Sequence, residues 1–228
     1  MKIAEIFHSI QGEGKLAGVP SVFVRTSGCN LRCVWCDSPY TSWKPEGQQS
    51  SLDQIIEQVA RFESKHVVLT GGEPLIAPGV EELTRRLREA EYHLTIETAA
   101  TVWCEVICDL ASISPKLANS TPWDREEGRF AEAHERNRID VEVIRRFMGL
   151  GDYQLKFVVD RPEDIEEIDE LLGRIGSYEA SNVLLMPQGV TPEELTPKTG
   201  WIAQLCKERG FRFCPRLHIA LFGNKRGT

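Results

Sequence analysis

No stretch of the 228 residues approaches the roughly 18 consecutive apolar positions that a membrane-spanning helix needs. A membrane helix is therefore excluded, and no membrane partner is expected. The opening MKIAEIFHSIQGEG lacks the uninterrupted apolar core and small-residue cleavage site of a secretory signal. A cytoplasmic location is expected. Basic residues are in the minority, 27 Lys and Arg against 34 Asp and Glu, for a net charge of −7. That deficit argues against broad binding to a phosphate backbone, so nucleic acid is not an expected partner. Internal repeats, low-complexity tracts and interdomain linkers are missing too. With 41% hydrophobic and 27% charged residues, the chain reads as one globular domain over 1–228. Cysteine is not scarce. There are seven, an odd number in a chain without a secretion signal, so a disulfide framework is not implied. Three of them crowd into the eight residues from Cys29 to Cys36.

Short β-rich runs recur at Lys2–Phe7, Val22–Thr26, Val67–Thr70, His93–Ile96, Ala111–Ser114, Gln154–Val159 and Asn182–Met186. A weaker run at Phe211–Phe213 is followed by another at Leu217–Leu221. Helical patterns lie between several of them. Leu52, Ile55, Ile56, Val59 and Phe62 form one stripe, opened by a Ser51–Gln54 capping box. Val80, Leu83 and Leu87 form a second, and Ile165, Ile168, Leu171 and Leu172 a third. A helix within Thr191–Arg209 starts from a Thr191–Glu194 capping box, with a break expected at Pro197 and Gly200. Alternation of this kind predicts an α/β fold, a parallel sheet with helices outside it, either open or an incomplete barrel of about six βα units. Chemistry in such folds gathers at the carboxyl ends of the strands. The charged stretch Asn119–Asn137 breaks the rhythm and is expected to be a mobile excursion or a surface helix.

The segment Gly28-Cys29-Asn30-Leu31-Arg32-Cys33-Val34-Trp35-Cys36-Asp37 follows a predicted strand directly. Its Cys-x3-Cys-x2-Cys spacing lets three thiolates converge on one inorganic centre. A structural zinc site wants four closed ligands, and no fourth Cys or His lies nearby. A four-iron, four-sulfur cluster held by three Cys keeps one iron open to a small molecule. Further on, Thr70-Gly71-Gly72-Glu73-Pro74 puts two glycines and an acid at a strand end, where backbone and carboxylate can approach a ligand closely. The strands that follow end in Glu97, in Ser114-Pro115-Lys116 and in Gln188-Gly189. Ahead of the triplet stand Ile10-Gln11-Gly12-Glu13-Gly14 and the strand ending in Arg25. An amide, an acid and a guanidinium suit a flat polar heterocycle bearing a carboxylate.

Cys29, Cys33 and Cys36 resemble the signature of the radical S-adenosylmethionine enzymes. The full string, from Gln-Gly-Glu-Gly to a terminal Arg-Leu-His, is similar to the 7-carboxy-7-deazaguanine synthases of queuosine biosynthesis, over Glu5 to about Phe222. The resemblance implies an incomplete TIM-like barrel. It also implies a lyase that converts 6-carboxy-5,6,7,8-tetrahydropterin to 7-carboxy-7-deazaguanine with loss of ammonia. In that family an open cluster iron chelates S-adenosylmethionine, whose reductive cleavage yields a radical that takes hydrogen from the pterin C6. Carried across residue by residue, Cys29, Cys33 and Cys36 are the cluster ligands and Ser38 the hydroxyl ligand of a Mg2+ ion. Trp35, Cys36, Asp37, Gly72, Glu73, Glu97, Ser114, Pro115, Lys116 and Gln188 are expected around S-adenosylmethionine. Ile10, Gln11, Gly12, Glu13, Arg25, Thr70 and His218 are expected around the pterin. The family also implies a flavodoxin- or ferredoxin-type electron donor and a homodimer.

Two other readings share the triplet. A glycyl-radical activase would use the same cluster on a protein backbone, without needing Gln11 and Arg25. A zinc-binding interaction module would draw its fourth ligand from afar. The remaining cysteines are expected to be inert: Cys104 and Cys108 on one helix face, Cys206 and Cys214 as core or edge packing.

Overall fold

The computed structural model describes residues 1–228. In chain order, strands β1 (Lys2–Ile10) and β2 (Pro20–Thr26) precede the short helix α1 (Pro39–Ser42) and the two-residue β3 (Gln48–Gln49). Then come α2 (Leu52–Ala60), β4 (His66–Gly71), α3 (Val80–Glu89), β5 (His93–Thr98) and β6 (Leu110–Ile113). The second half holds α4 (Ala131–Asn137), α5 (Val141–Met148), β7 (Asp152–Val159), α6 (Asp164–Ile175), β8 (Val183–Pro187), α7 (Pro192–Arg209), β9 (Arg212–Phe213) and α8 (Leu217–Phe222). All nine strands join one sheet in the order β3-β1-β2-β4-β5-β6-β7-β8-β9. β1 is antiparallel to β2 and β3, and every pairing from β2 to β9 is parallel. The two edge strands, β3 and β9, do not pair, so the sheet does not close into a full barrel.

Strand alternation divides this sheet into a structural and a functional face. Val22 and Val24, Val67 and Leu69, Leu94 and Ile96, Ala111 and Ile113, Leu155, Phe157 and Val159, and Val183 and Leu185 all belong to one buried cluster. In that cluster they meet Ile55 and Val59 of α2, Leu83 and Leu87 of α3, Ile144 and Phe147 of α5, and Ile168 and Leu171 of α6. Each fully buried aliphatic there contributes about 1.5–3 kcal/mol. The intervening residues point the other way, and they are largely polar: Arg25, Thr70, Glu97, Ser112, Lys156. A small apolar group, Val158, Leu184, Met186 and Cys214 with Trp35 against it, sits apart from the main core, and buried Phe23 and Val68 also lie on this face.

The capping boxes at Ser51–Gln54 and Thr191–Glu194 both form. Three expectations need correction. Leu217–Leu221 is not a strand but lies in the helix α8, since Pro215 cannot extend the ladder begun by β9 and Leu217 N–H is taken by Gly12 O at 2.9 Å. α7 runs unbroken through Pro197 and Gly200. The carbonyl that Pro197 leaves without its usual donor is that of exposed Glu193, while Ile202 and Cys206 bury the second half of the helix. Cys104 and Cys108 share no helix face. Their segment is irregular because side chains of α3 take its backbone donors, Glu105 N–H going to Glu81 and Ile107 N–H to Thr84.

Candidate active site

A cavity of about 440 Å³ lies against the polar face of the sheet and the carboxyl ends of its parallel strands. One wall is the loop after β2. Cys29, Cys33 and Cys36 all line it, together with Trp35, Asp37 and Ser38, and no other cysteine of the seven does. Burial pushes the thiols of Cys29 and Cys33 up to about 12, so both stay protonated until a cation takes them. No three His, Cys, Asp or Glu side chains are gathered as a mononuclear metal ion requires. Three thiols ringing a common cavity, with no fourth cysteine on its walls, fit an iron–sulfur cluster that keeps one corner facing the cavity.

The loop is held from both sides. Its start meets the glycine turn after β4. Glu73 N–H donates to Gly28 O at 2.9 Å, and a Cβ on Gly72 would stand 2.2 Å from that same oxygen. Gly72→Ala is therefore expected to push the loop outward. Stability should fall by about 1–3 kcal/mol, and reconstitution should return less iron per chain than in the parent. Equal iron content would contradict the contact.

The far side of the loop rests on residues 118–138, which contain the Asn119–Asn137 stretch expected to be a mobile excursion or a surface helix; its second half is a largely exposed helix, α4. The stretch is anchored to the cysteine loop and is not a free excursion. Val34 N–H donates to Ser120 O at 2.7 Å, Trp35 Nε1–H to Asn119 O at 2.9 Å, and Arg32 N–H to His134 Nδ1 at 3.1 Å. Because Nδ1 accepts, His134 carries its proton on Nε2, which reaches Ser120 Oγ at 2.9 Å. Only 1% exposed, this imidazole is held down to about 4 by burial first, against the opposing pull of Glu135. Its folded pKa lies below the unfolded value of 6.5. The unfolded chain therefore takes up a proton first, and stability is lost as pH falls from 6.5 towards 4. We expect a loss of about 2–3 kcal/mol across that window in the metal-free protein. His134→Gln should flatten the curve of denaturation midpoint against pH; parallel curves would contradict the assignment.

The end of β1 brings in Ile10 and the loop joining it to β2 brings in Gln11, Gly12 and Glu13, with Arg25 from β2, Thr70 from β4 and His218 from α8. All seven residues expected around a pterin thus line one cavity. Glu97 organises this group. It accepts from Gln11 Nε2 at 3.1 Å and from Thr70 Oγ1 at 2.9 Å, which leaves Gln11 Oε1 to accept from Glu13 N–H at 3.2 Å. Arg25 donates to Glu5 at 2.8 Å, as does Tyr40. Gly12 packs so closely on the His218 ring that a Cβ would fall 1.9 Å from Nδ1.

Of the residues expected around S-adenosylmethionine, Trp35, Cys36, Asp37, Gly72, Glu97, Ser114, Lys116 and Gln188 line the cavity. Lys116 Nζ donates to Ser114 O at 2.6 Å and to its Oγ at 2.8 Å. Glu73 and Pro115 do not line it. Glu73 is 1% exposed and accepts from Leu75 N–H, Thr98 Oγ1 and Ala99 N–H at 3.2, 2.8 and 2.9 Å, bracing the glycine turn against the end of β5.

Residues 23–118 match the radical SAM superfamily. The chain is 47% identical to the 7-carboxy-7-deazaguanine synthase of Rhodopirellula baltica, across 99% of this chain and 88% of that protein. It is also 47% identical to the Halobacterium salinarum synthase, across 100% and 93%. The crystal structure of QueE from Escherichia coli superposes with a TM-score of 0.69 at 27% identity, across 93% of this chain and 92% of the other. The chain belongs to the 7-carboxy-7-deazaguanine synthase family. It is a radical SAM enzyme, and a four-iron, four-sulfur cluster and S-adenosylmethionine are its cofactors.

Within that frame, two charged groups of the site had no role assigned from the sequence: Lys156, and Arg216, the arginine of the terminal Arg-Leu-His string. Lys156, on the polar face of β7, forms an ion pair with Glu13. Arg216, the residue before α8, pairs with Glu13 at 3.1 Å and with Asp37. The Lys156 and Arg216 side chains are only 8% and 6% exposed. Burial alone would raise the Glu13 carboxyl, but Lys156, Arg216 and His218 outweigh it and hold Glu13 well below the usual carboxylate range. Residues Asn224–Thr228 also reach the cavity. Arg226 fastens this tail, donating to Glu5 at 3.2 Å and Glu46 at 2.9 Å and lying 4.1 Å over the Tyr40 ring.

Proposed function

We propose that this chain converts 6-carboxy-5,6,7,8-tetrahydropterin to 7-carboxy-7-deazaguanine with release of ammonia, a step toward the modified base of queuosine. The observation that carries the reading is the shared cavity, lined both by the three thiols and by an amide, an acid and a guanidinium, Gln11, Glu13 and Arg25. The relatives from Rhodopirellula baltica and Halobacterium salinarum bear the name of that activity. When bound, the cluster and S-adenosylmethionine supply a hydrogen-abstracting radical.

The protein's own residues then bind, orient and exclude water. Cys29, Cys33 and Cys36 hold the cluster, and Trp35, Gly72, Ser114, Lys116 and Gln188 border the cofactor. Glu13, ionised across neutral pH, accepts from the amino edge of the pterin, while Gln11 and Thr70, pinned by Glu97, read the rest of its rim. Arg25 is the grip for the substrate carboxylate. Ser38, whose Oγ lies 3.3 Å from Asp37 Oδ1, offers a hydroxyl to Mg2+, an ion content with few protein ligands. We further propose one domain over 1–228, a homodimer, a cytoplasmic setting and a flavodoxin- or ferredoxin-type donor. The continuous sheet supports the first of these.

Anaerobically reconstituted protein, given carboxytetrahydropterin, S-adenosylmethionine, Mg2+ and a low-potential reductant, should release the deazapurine and ammonia in equal amounts. Cofactor cleavage with the pterin left unchanged would overturn the reading and favour an activase.

A further inference from the structure

Arg216 spends its guanidinium on three different loops. Nε donates to Glu13 Oε1 at 3.1 Å, in the β1–β2 loop; one terminal nitrogen donates to Asp37, on the cluster loop; the other donates to Gly189 O, beyond the end of β8. Asp37 stands between Cys36 and Ser38, and Ser38 Oγ donates to it at 3.3 Å. Gly189 follows Gln188, whose carbonyl and side-chain oxygens are in turn held by Lys198 Nζ at 2.7 and 3.0 Å. The guanidinium is buried, whereas the Asp37 carboxylate keeps 46% of its surface open to the cavity. Glu13 is not left to Arg216 alone, because Lys156 grips its second oxygen. A buried charge with three rigid, directional contacts is costly unless all three are met, and here all three lie on elements that converge only in the folded site.

We propose that Arg216 is a positioning residue that couples pterin recognition at Glu13 to the Asp37–Ser38 end of the cluster loop, so that the substrate-reading acid and the hydroxyl offered to Mg2+ are set by one group. This rests on the pterin reading above. A lysine keeps the charge at Arg216 but offers no planar fork, so it cannot hold three diverging acceptors at once.

The test is a double-mutant cycle read by equilibrium binding. The probe is 6-carboxypterin, an oxidised analogue that does not turn over, titrated into Mg2+-containing protein and followed by tryptophan fluorescence. Arg216→Lys is expected to weaken binding about ten- to hundredfold, the range for losing hydrogen bonds between charged groups. Asp37→Asn, which leaves every expected pterin contact intact, is expected to weaken binding about three- to tenfold on its own. Placed in the Arg216→Lys background, Asp37→Asn should add nothing. Additive effects, or an Asp37→Asn protein that binds as the parent does, would overturn the coupling. Asp37→Asn also serves if Arg216→Lys fails to fold, because Asp37 is the open partner of the pair. A parent protein that does not bind the analogue at all would overturn the pterin reading itself, which separates the two failures.

Discussion

Replacing Cys33 by Ala should give a folded protein that emerges colourless from anaerobic reconstitution and forms no deazapurine. Cys33 is buried, and its carbonyl accepts from Trp43 Nε1 at 3.0 Å, so the loop keeps its backbone tie when the sulfur is removed. Losing one of only three thiols leaves the cluster with two protein ligands. The same count explains why no rescue is expected from elsewhere: the other four cysteines do not line the cavity. Burial pushes the thiols of Cys104, Cys108, Cys206 and Cys214 up to about 11, which marks them as protonated packing groups. Turnover should drop by about three orders of magnitude or more, the scale of removing a reaction's essential chemical group. Visible absorbance and iron content check the claim independently of activity. A Cys33→Ala protein that is still brown and still active would remove the loop from its assigned role.

Glu13→Gln carries the second large effect, and it acts on stability and binding together. In the parent, one carboxylate balances Lys156 and shares Arg216 with Asp37. A neutral amide removes the carboxylate paired with the buried ammonium and leaves only the unpaired charge of Glu97 near it. Breaking such a pair from one side costs about 3–5 kcal/mol, read as a lower denaturation midpoint at neutral pH. The sign with pH follows from the depressed carboxyl. Its contribution is in place above the unfolded value of 4.5 and is lost only as pH falls through the lower folded value. The penalty of the amide should therefore be largest at neutral pH and shrink in acid. Pterin affinity should fall about a hundredfold, since a charge-assisted acceptor is lost and its neighbours are free to move. A Glu13→Gln protein that is as stable as the parent and binds pterin equally would contradict the charge balance described for the site.

Much of this site was legible because its chemistry sits in short contiguous motifs. Cys29-x3-Cys33-x2-Cys36, Gly71-Gly72-Glu73-Pro74 and Gln11-Gly12-Glu13 each carry their residues on a single loop, and a loop at a strand's carboxyl end faces the cavity almost by construction. Glu73 shows the limit of that logic. Its chain position is at the mouth, but Pro74 starts a 3-10 turn whose first free N–H, that of Leu75, captures the carboxylate and turns it inward. Lys156 was missed for the opposite reason, since it lies within a strand. A signal was present: Gln154, Lys156 and Val158 alternate against Leu155, Phe157 and Val159, and a lysine inside a parallel strand buried on both faces needs a partner across the sheet. Arg216 is set by tertiary contact alone, with partners 203, 179 and 27 residues away in the chain. The terminal helix was misread because Leu217, Ile219 and Leu221 alternate as a strand would; only Ile219 ends buried. The break expected at Pro197 overestimated the cost of one lost hydrogen bond on an exposed turn.

The stretch at residues 118–138 holds a similar lesson. Its charges, Asp124, Glu126, Glu127 and Glu132 among them, face solvent and dominated the composition. Of the residues that hold the cluster loop, Asn119, Ser120 and His134 are spread through it and act mostly through backbone oxygens or a buried ring, with Arg125 the one charged side chain that joins them, donating to Val34 O at 3.1 Å. Hydropathy is silent about such contacts.

The three thiols and the substrate-reading residues that line one cavity are expected to serve one reaction. Substrate carrying deuterium at C6 tests this most directly. With reconstituted enzyme, Mg2+ and reductant, deuterium should appear in the 5′-deoxyadenosyl group derived from S-adenosylmethionine while 7-carboxy-7-deazaguanine accumulates. Deazapurine formed with no deuterium in any 5′-deoxyadenosyl species, or deuterium-free cofactor cleavage without deazapurine, would contradict hydrogen transfer within this cavity.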